Sequence, residues 1–328
     1  MVQSLTIGVP VRNEEKSLPI FIKNLASAVE RLRSGYPDLS VEVIFCINNT
    51  TDESEKVIRD LLPCSKLKNY QIIHCNSPGK FAALRKIARE SKFPGGYICS
   101  IDADIILDQL CITGLVRQLE EDKNLFLVYS GVFPVTSASI NFMERIQGTH
   151  YSLRRNISPR KYFHGRTYMM RSAILLKEEP RKLQTSYWDL EDGPYVDDVY
   201  LSRLIVHLYG ADSIKESKYS KLWFIPPKNI KDFYFGQRRL LFEIKRLNLL
   251  YPEHSYVQKE VFRKKVRWSY FLNLKLKYFS FYLSYFLVEE IIRIIIRLEI
   301  SLISLNLIKC KAIWKNLNST KGALNGNK

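Results

Sequence analysis

Tyr97-Ile98-Cys99-Ser100-Ile101-Asp102-Ala103-Asp104 is the stretch that decides the fold. Its apolar run from Tyr97 to Ile101 reads as a strand covered on both faces, and it ends abruptly on two carboxylates. Leu5 to Val9, Val41 to Ile47 and Tyr70 to His74 repeat the design, each an apolar run ending on polar residues. Between them, Lys16 to Leu32, Glu53 to Leu62 and Lys80 to Ser91 carry helical periodicity, with Asp52 placed to start the second. Strand and helix in alternation predict a mostly parallel α/β sheet flanked by helices.

In open sheets of this kind ligands bind beyond the C-terminal ends of the strands. Those ends are Pro10 to Glu15, Asn48 to Asp52, Asn76 to Lys80 and Asp102 to Asp104, all polar. None carries the G-x-G-x-x-G of dinucleotide binding or the G-x-x-x-x-G-K-[ST] of a phosphate loop, which sets aside ordinary dehydrogenases and P-loop enzymes. Arg12, Lys80 and Arg85 could neutralise phosphates, and Asn48 and Asp52 could hydrogen-bond a base or ribose. In extended chain Asp102 and Asp104 would point to one side, where a hard divalent cation could bridge them and be completed by diphosphate oxygens. D-x-D spacing alone is common and means little; its place after a buried strand gives it weight.

After Leu125 the pattern is less regular, with a β-like run from Phe126 to Val132 and a polar cluster from His164 to Arg171. Asp197 and Asp198 open a helical stretch, where acidic residues suit the positive end of the helix dipole as well as they suit catalysis. His164 is by default a structural loop histidine.

The 328 residues can bury a large core and carry 50 Lys and Arg against 33 Asp and Glu, a formal charge of +17. Such a balance calls for an anionic partner. From Gln237 to Lys328 there are 18 basic and 6 acidic residues, so most of the excess lies in the last quarter. There the uncharged runs Tyr278 to Val288 and Ile300 to Ile308 are too short to span a bilayer. On one helix, Glu290, Arg293, Arg297, Ser301 and Ser304 share a face, and Leu287, Ile291, Ile294, Ile295, Leu298, Leu302 and Leu305 crowd the other. With Lys275, Lys277, Lys309, Lys311 and Lys315 at its ends, the helix is expected either on an anionic cytoplasmic leaflet or packed on the catalytic domain or a second copy of the chain. No nucleic-acid-binding motif accompanies the basic residues, so nucleic acid is not an expected partner. Six cysteines without a C-x-x-C pair, mostly in apolar runs, read as buried reduced thiols of a cytoplasmic protein, and the N-terminus lacks the pattern of a signal peptide.

Taken in order, these segments resemble family-2 glycosyltransferases of the GT-A fold from residue 5 to about residue 240. Pro10-Val11-Arg12-Asn13-Glu14-Glu15 is similar to the opening P-x-[YR]-N-E-E, and Asn48-Asn49-Thr50-Thr51-Asp52 stands in place of D-[DN]-G-S-T-D. Pro78-Gly79-Lys80-Phe81-Ala82-Ala83-Leu84-Arg85 is similar to the G-K-x-x-A-x-N/R segment, and Asp102-Ala103-Asp104 to the D-x-D. Phe163-His164-Gly165-Arg166-Thr167-Tyr168-Met169-Met170-Arg171 resembles the acceptor-side G-x-x-Y-x-x-R, and Asp197-Asp198-Val199-Tyr200-Leu201 the [ED]-D-x-x-L of the general base.

The resemblance implies a GT-A catalytic domain over 1–240, with a sugar-nucleotide half over 1–125 and an acceptor half over 126–240. A basic amphipathic helical segment over 241–328 follows. It implies donor contacts at Pro10, Arg12, Glu14, Asn48, Asp52, Gly79, Lys80, Arg85, Asp102 and Arg239, and acceptor contacts at His164, Gly165, Arg166 and Arg171. Mn²⁺ or Mg²⁺ would sit on Asp102 and Asp104, with Asp198 as general base and Asp197 beside it. The expected reaction is inverting sugar transfer from a nucleotide-diphosphate sugar, uridine by default, to a glycan or lipid-linked acceptor. Asn48 stands where the family often has a base-reading Asp. Gln237-Arg238-Arg239-Leu240-Leu241 lacks the Arg and Trp of the Q-x-x-R-W of processive synthases, which argues for a non-processive enzyme. Two other classes compete. A nucleotidyltransferase would carry a Gly-rich turn where Pro10-Val11-Arg12-Asn13 stands, and a non-catalytic membrane-surface protein would account for the tail but not for the ordered motifs.

Overall fold

The computed structural model describes residues 2–135, 141–154, 163–177, 181, 196–258 and 276–308. The expected alternation is present: β1 (Ser4–Val11), α1 (Leu18–Gly35), β2 (Ser40–Asn48), α2 (Ser54–Leu61), β3 (Tyr70–Cys75), α3 (Lys80–Glu90) and β4 (Tyr97–Ile101). Then come β5 (Ile105–Leu107), α4 (Cys111–Glu121), β6 (Leu127–Pro134), α5 (Phe142–Arg154), β7 (Thr167–Met170) and the single turn α6 (Ile174–Lys177). The described chain closes with α7 (Asp197–Tyr209), β8 (Ile214–Phe224), α8 (Ile230–Leu250) and α9 (Leu276–Ser304).

One eight-stranded sheet runs β3-β2-β1-β4-β7-β6-β8-β5. The half from β3 to β4 is parallel throughout, with Val9 opposite Phe45 and Gly8 opposite Ser100. Beyond β4 the sheet turns mixed: β7 is antiparallel to β4 and β6, β8 is parallel to β6, and β5 is antiparallel to β8. β5, β7 and β8 were not anticipated. β7 lies inside the polar 164–171 cluster, and in β8 exposed Lys215, Lys218 and Lys221, three residues apart, break the alternation that marks a strand.

Each side of the sheet is covered. Leu5, Ile7, Val9 and Val11 of β1 pack with Phe21 and Leu25 of α1 and with Leu115 of α4. On the other side Ile44 and Cys46 of β2 pack with Leu84 and Ile87 of α3 and with Tyr200 and Leu204 of α7. Strands sealed on both faces read as continuous apolar runs, which is why their sequence was legible.

A third apolar cluster joins α5, α8 and α9 through Ile146, Phe233, Phe242, Tyr285, Ile292 and Ile296. The boundary expected at residue 240 falls inside α8, which runs unbroken across it. Cys46, Cys75, Cys99 and Cys111 are buried free thiols, whereas Cys64 is exposed. Lys275, Lys309, Cys310, Lys311 and Lys315 lie outside the described residues.

Candidate active site

At the C-terminal edge of the parallel half-sheet, Lys80 meets the end of β4 and the start of α7. It begins α3, and the turn before it needs Gly79, whose φ of 97° lies in the left-handed region that glycine adopts without strain. The Lys80 Nζ lies 2.6 Å from Asp102 Oδ1 and 3.3 Å from Asp197 Oδ2, and it also donates to the carbonyl of Gly165. One ammonium thus draws together the end of β4, the start of α7 and the loop entering β7. The two carboxylates hold Lys80 firmly protonated, above the ordinary lysine range, despite its burial.

Asp102 follows β4 directly, and its backbone N–H donates to the Arg166 carbonyl at 2.8 Å. Burial pushes its carboxyl up to about 6, Lys80 pulls it down, and the negative charge of Asp104 adds to the rise. Ala103 and Asp104 lie in a turn between β4 and β5, not in extended chain. The i, i+2 argument from extended chain therefore does not apply, although the charge of Asp104 is still felt at Asp102. Their chemistry suits a hard cation that takes one or two carboxylates and completes its shell with phosphate oxygens. Among the described residues no group of three or more His, Cys, Asp or Glu side chains is gathered that could hold a metal.

The two aspartates that open α7 have different surroundings. Asp197 is 4% exposed, and besides Lys80 it accepts from the Tyr168 hydroxyl at 2.9 Å. Asp198 is half-buried, with Oδ2 accepting from the Gly165 N–H at 2.9 Å and Oδ1 from the Val199 N–H at 2.8 Å. Burial raises both carboxyls; Lys80 opposes the rise in each, and the Arg239 charge opposes it at Asp198. Burial lowers Arg239, which the negative charges of Asp198 and Asp102 offset, so this α8 side chain belongs to the same electrostatic cluster. A Cβ at Gly165 would be tight, 3.1 Å from Asp197 Oδ1 and 3.3 Å from Lys80 Nζ, so these groups would have to shift by a few tenths of an ångström.

Other expected site residues serve the scaffold around this cluster. Asn48 is 3% exposed and donates to the carbonyls of Cys75 and Ser77, tying β2 to the loop after β3 and not presenting its amide to a base. Asp52 accepts from the Ser54 N–H and hydroxyl and from the Glu15 N–H. Glu14 accepts from the Ser17 hydroxyl, and its N–H donates to Ser54 Oγ. These bonds, with Asn13 accepting from the Thr51 N–H at 2.7 Å, lock the first two strand-end loops to each other. Pro10 sits within β1 opposite Cys46, and Arg12 is half-buried just beyond that strand. Arg85 is five residues beyond Lys80 and so turned about 140° round α3 from it.

On the expected acceptor side only Gly165 and Arg166 adjoin the cluster. The Arg166 guanidinium lies 3.9 Å over the Phe224 ring. His164 donates to the Ser130 carbonyl at 2.8 Å and packs edge-on to Tyr129. Arg171 corrects an expectation: its guanidinium binds the carbonyls of Leu119, Asp122 and Leu125 and the Tyr97 hydroxyl, closing the C-terminal end of α4. Cationic donors complement a helix C-terminus, which is a structural duty. Tyr168 is the contributor that sequence reasoning passed over; it stood in the cluster as the family tyrosine, with nothing to show that it would reach Asp197.

A mixed sheet of this order, parallel in its first half and flanked by helices, matches the GT-A fold of glycosyltransferases. Residues 6–178 match glycosyl transferase family 2, and the chain belongs to that family. No curated protein matches the sequence. Among solved structures, a mycobacterial protein is 16% identical with a TM-score of 0.51, covering 76% of this chain and 75% of that one. The mannosyltransferase PcManGT from Pyrobaculum calidifontis, solved with GDP-Man and Mn²⁺, is 14% identical with a TM-score of 0.51, covering 88% of this chain and 86% of that one. Glucosyl-3-phosphoglycerate synthase from Mycobacterium tuberculosis is 18% identical with a TM-score of 0.48, over 75% of this chain and 79% of that one.

Proposed function

We propose that this glycosyltransferase moves one sugar, with inversion, from a nucleotide-diphosphate sugar to an acceptor hydroxyl in non-processive synthesis of a cell-surface glycan or glycolipid. Supporting this reading is one juxtaposition: Lys80 gathers the Asp102 and Asp197 carboxylates at one point, with Asp198 and Arg239 beside them. Asp198, the less buried of its pair, takes the proton of the acceptor hydroxyl as that oxygen attacks the anomeric carbon. The bond from that carbon to the diphosphate oxygen breaks on the opposite side, and its electron pair leaves with the diphosphate. Asp197 is spent on Lys80 and Tyr168 and positions the start of α7. Lys80 and Arg239 offset charge on the departing group. Asp102 and Asp104 would hold Mn²⁺ or Mg²⁺, which supplies Lewis-acid stabilisation of the diphosphate.

Slow donor hydrolysis provides the test, with uridine diphosphate sugars and GDP-mannose offered in Mn²⁺ or Mg²⁺. One donor should be cleaved with metal, about 100-fold more slowly by Asp104→Ala. Asp198→Asn should bind that donor normally while losing roughly 10²- to 10⁴-fold in transfer. Metal-independent cleavage untouched by Asp104→Ala would overturn the reading. Once an acceptor is found, retention of the anomeric configuration would remove the inverting step.

A further inference from the structure

α9 is apolar on two opposite faces. The 29-residue helix, roughly 43 Å long, buries Tyr285, Ile292, Ile296 and Ile303 against α5 and α8. Glu299 on the same side pairs with Arg238 of α8 at 2.7 Å and accepts from the Tyr234 hydroxyl at 3.0 Å. The side facing away carries Leu283, Leu287, Ile291, Ile294, Leu298 and Leu302, each between 39% and 60% exposed. Their helical spacing aligns them in one continuous stripe, which exposed Arg297 and Ser301 border. A contiguous exposed apolar stripe of this length marks a contact surface.

We infer that this outer face of α9 seats the protein on an anionic lipid surface, with the leucines and isoleucines immersed among the acyl chains. Charge selects this occupant over a second copy of the chain. Residues 259–275 carry six Lys and Arg against one Glu, and residues 309–328 carry five Lys and no acidic residue, so the sequence on either side of the helix is strongly basic. Two copies, each at +17, repel one another, whereas an anionic leaflet attracts both flanks and accepts the apolar face between them. Among the described residues no helix is long and apolar enough to cross a membrane, so the contact is interfacial. The inner face remains packed, so docking leaves the catalytic body intact. The inference stands without the transferase reading.

The experiment is flotation of the full chain with vesicles of phosphatidylcholine alone or mixed with phosphatidylglycerol. A triple variant, Leu287→Gln, Ile294→Gln and Leu298→Gln, is run beside it. Recovery should be about tenfold higher on the anionic vesicles, fall in about 0.5 M salt, and drop in the triple variant to the level of neutral lipid. In a separate Leu298→Trp protein, the fluorescence of residue 298 should shift to the blue on anionic vesicles, read against the unsubstituted chain. That readout stands even if the triple variant misfolds. Absence of flotation and of the blue shift overturns the inference. So does a wild-type dimer that ignores vesicles and is broken by the three substitutions, because the face then belongs to a second copy.

Discussion

Asp102, at the end of β4, and Asp197, at the start of α7, are joined through one ammonium: Lys80 Nζ lies 2.6 Å from the first carboxylate and 3.3 Å from the second. This link sets the distance between the half of the site that would hold the diphosphate and the half that would receive the acceptor. Its removal is the sharpest test of the site's construction.

Lys80→Met keeps the stem and deletes the charge, leaving two carboxylates facing each other without their shared cation. Breaking a buried pair costs roughly 3 kcal/mol, so the urea midpoint should fall, and kcat/KM should fall about 100-fold or more. Lys80→Arg should not restore activity, because the wider planar guanidinium does not fit where Asp102, Asp197 and the Gly165 carbonyl converge on one nitrogen. Wild-type kinetics in Lys80→Met would disprove this role.

Tyr168→Phe removes a buried donor to Asp197 and should cost about 1.5–3 kcal/mol, the usual value of a hydrogen bond to a charged group. Because Asp197 positions α7, kcat should drop while the KM for donor stays near wild type. A variant that changed donor KM alone would place Tyr168 on the nucleotide instead.

Burial raises the Asp198 carboxyl above the ordinary aspartate range. The base form is lost as pH falls through that raised value, so activity should decline on the acid side at a higher pH than an unperturbed aspartate, near about 3.9, would give. The acid limb should be present in the kcat/KM profile of wild type and absent from the residual activity of Asp198→Asn. An unchanged limb in the variant would assign it to another group.

Glu299→Ala leaves Arg238, 3% exposed, without its bidentate carboxylate partner across the α8–α9 contact. A loss of about 3 kcal/mol is expected in chemical denaturation, with faster proteolysis at α9. Arg239, one residue on, lies in the active-site cluster, so the KM for donor should rise as well. Unchanged stability would mean that α9 is held by its apolar contacts alone.

Much of this site could be read from residue order. Strands covered on both faces, β1, β2 and β4, announce themselves as apolar runs, the half-buried edge strand β3 does so more weakly, and the polar strand ends mark the cleft. Asp102 and Asp104 stand at such a strand end, whereas Asp197 and Asp198 open a helix and are singled out by their resemblance to the family's [ED]-D-x-x-L. β8 was missed because its outward positions carry lysine, and β5 because three residues are too few for any period to show.

What the sequence by itself determined is local: the alternation of strand and helix, the place of each polar strand end, and the apolar character of α9. Burial periodicity and turn chemistry need only neighbouring residues. Tertiary structure decided what depends on how distant elements are rotated against one another. It turned Asn48 onto the loop after β3 and Arg171 onto the end of α4, and buried Asp197 while leaving Asp198 nearer the surface. It also chose which side of α9 packs. The leucine-rich stripe, the most apolar face of that helix, points outward, while the inner stripe of Tyr285, Ile292, Ile296 and Ile303 packs on α5 and α8 and Glu299 beside it pairs with Arg238 of α8. Hydrophobicity drives a face out of water but does not name its partner; shape and paired charge do.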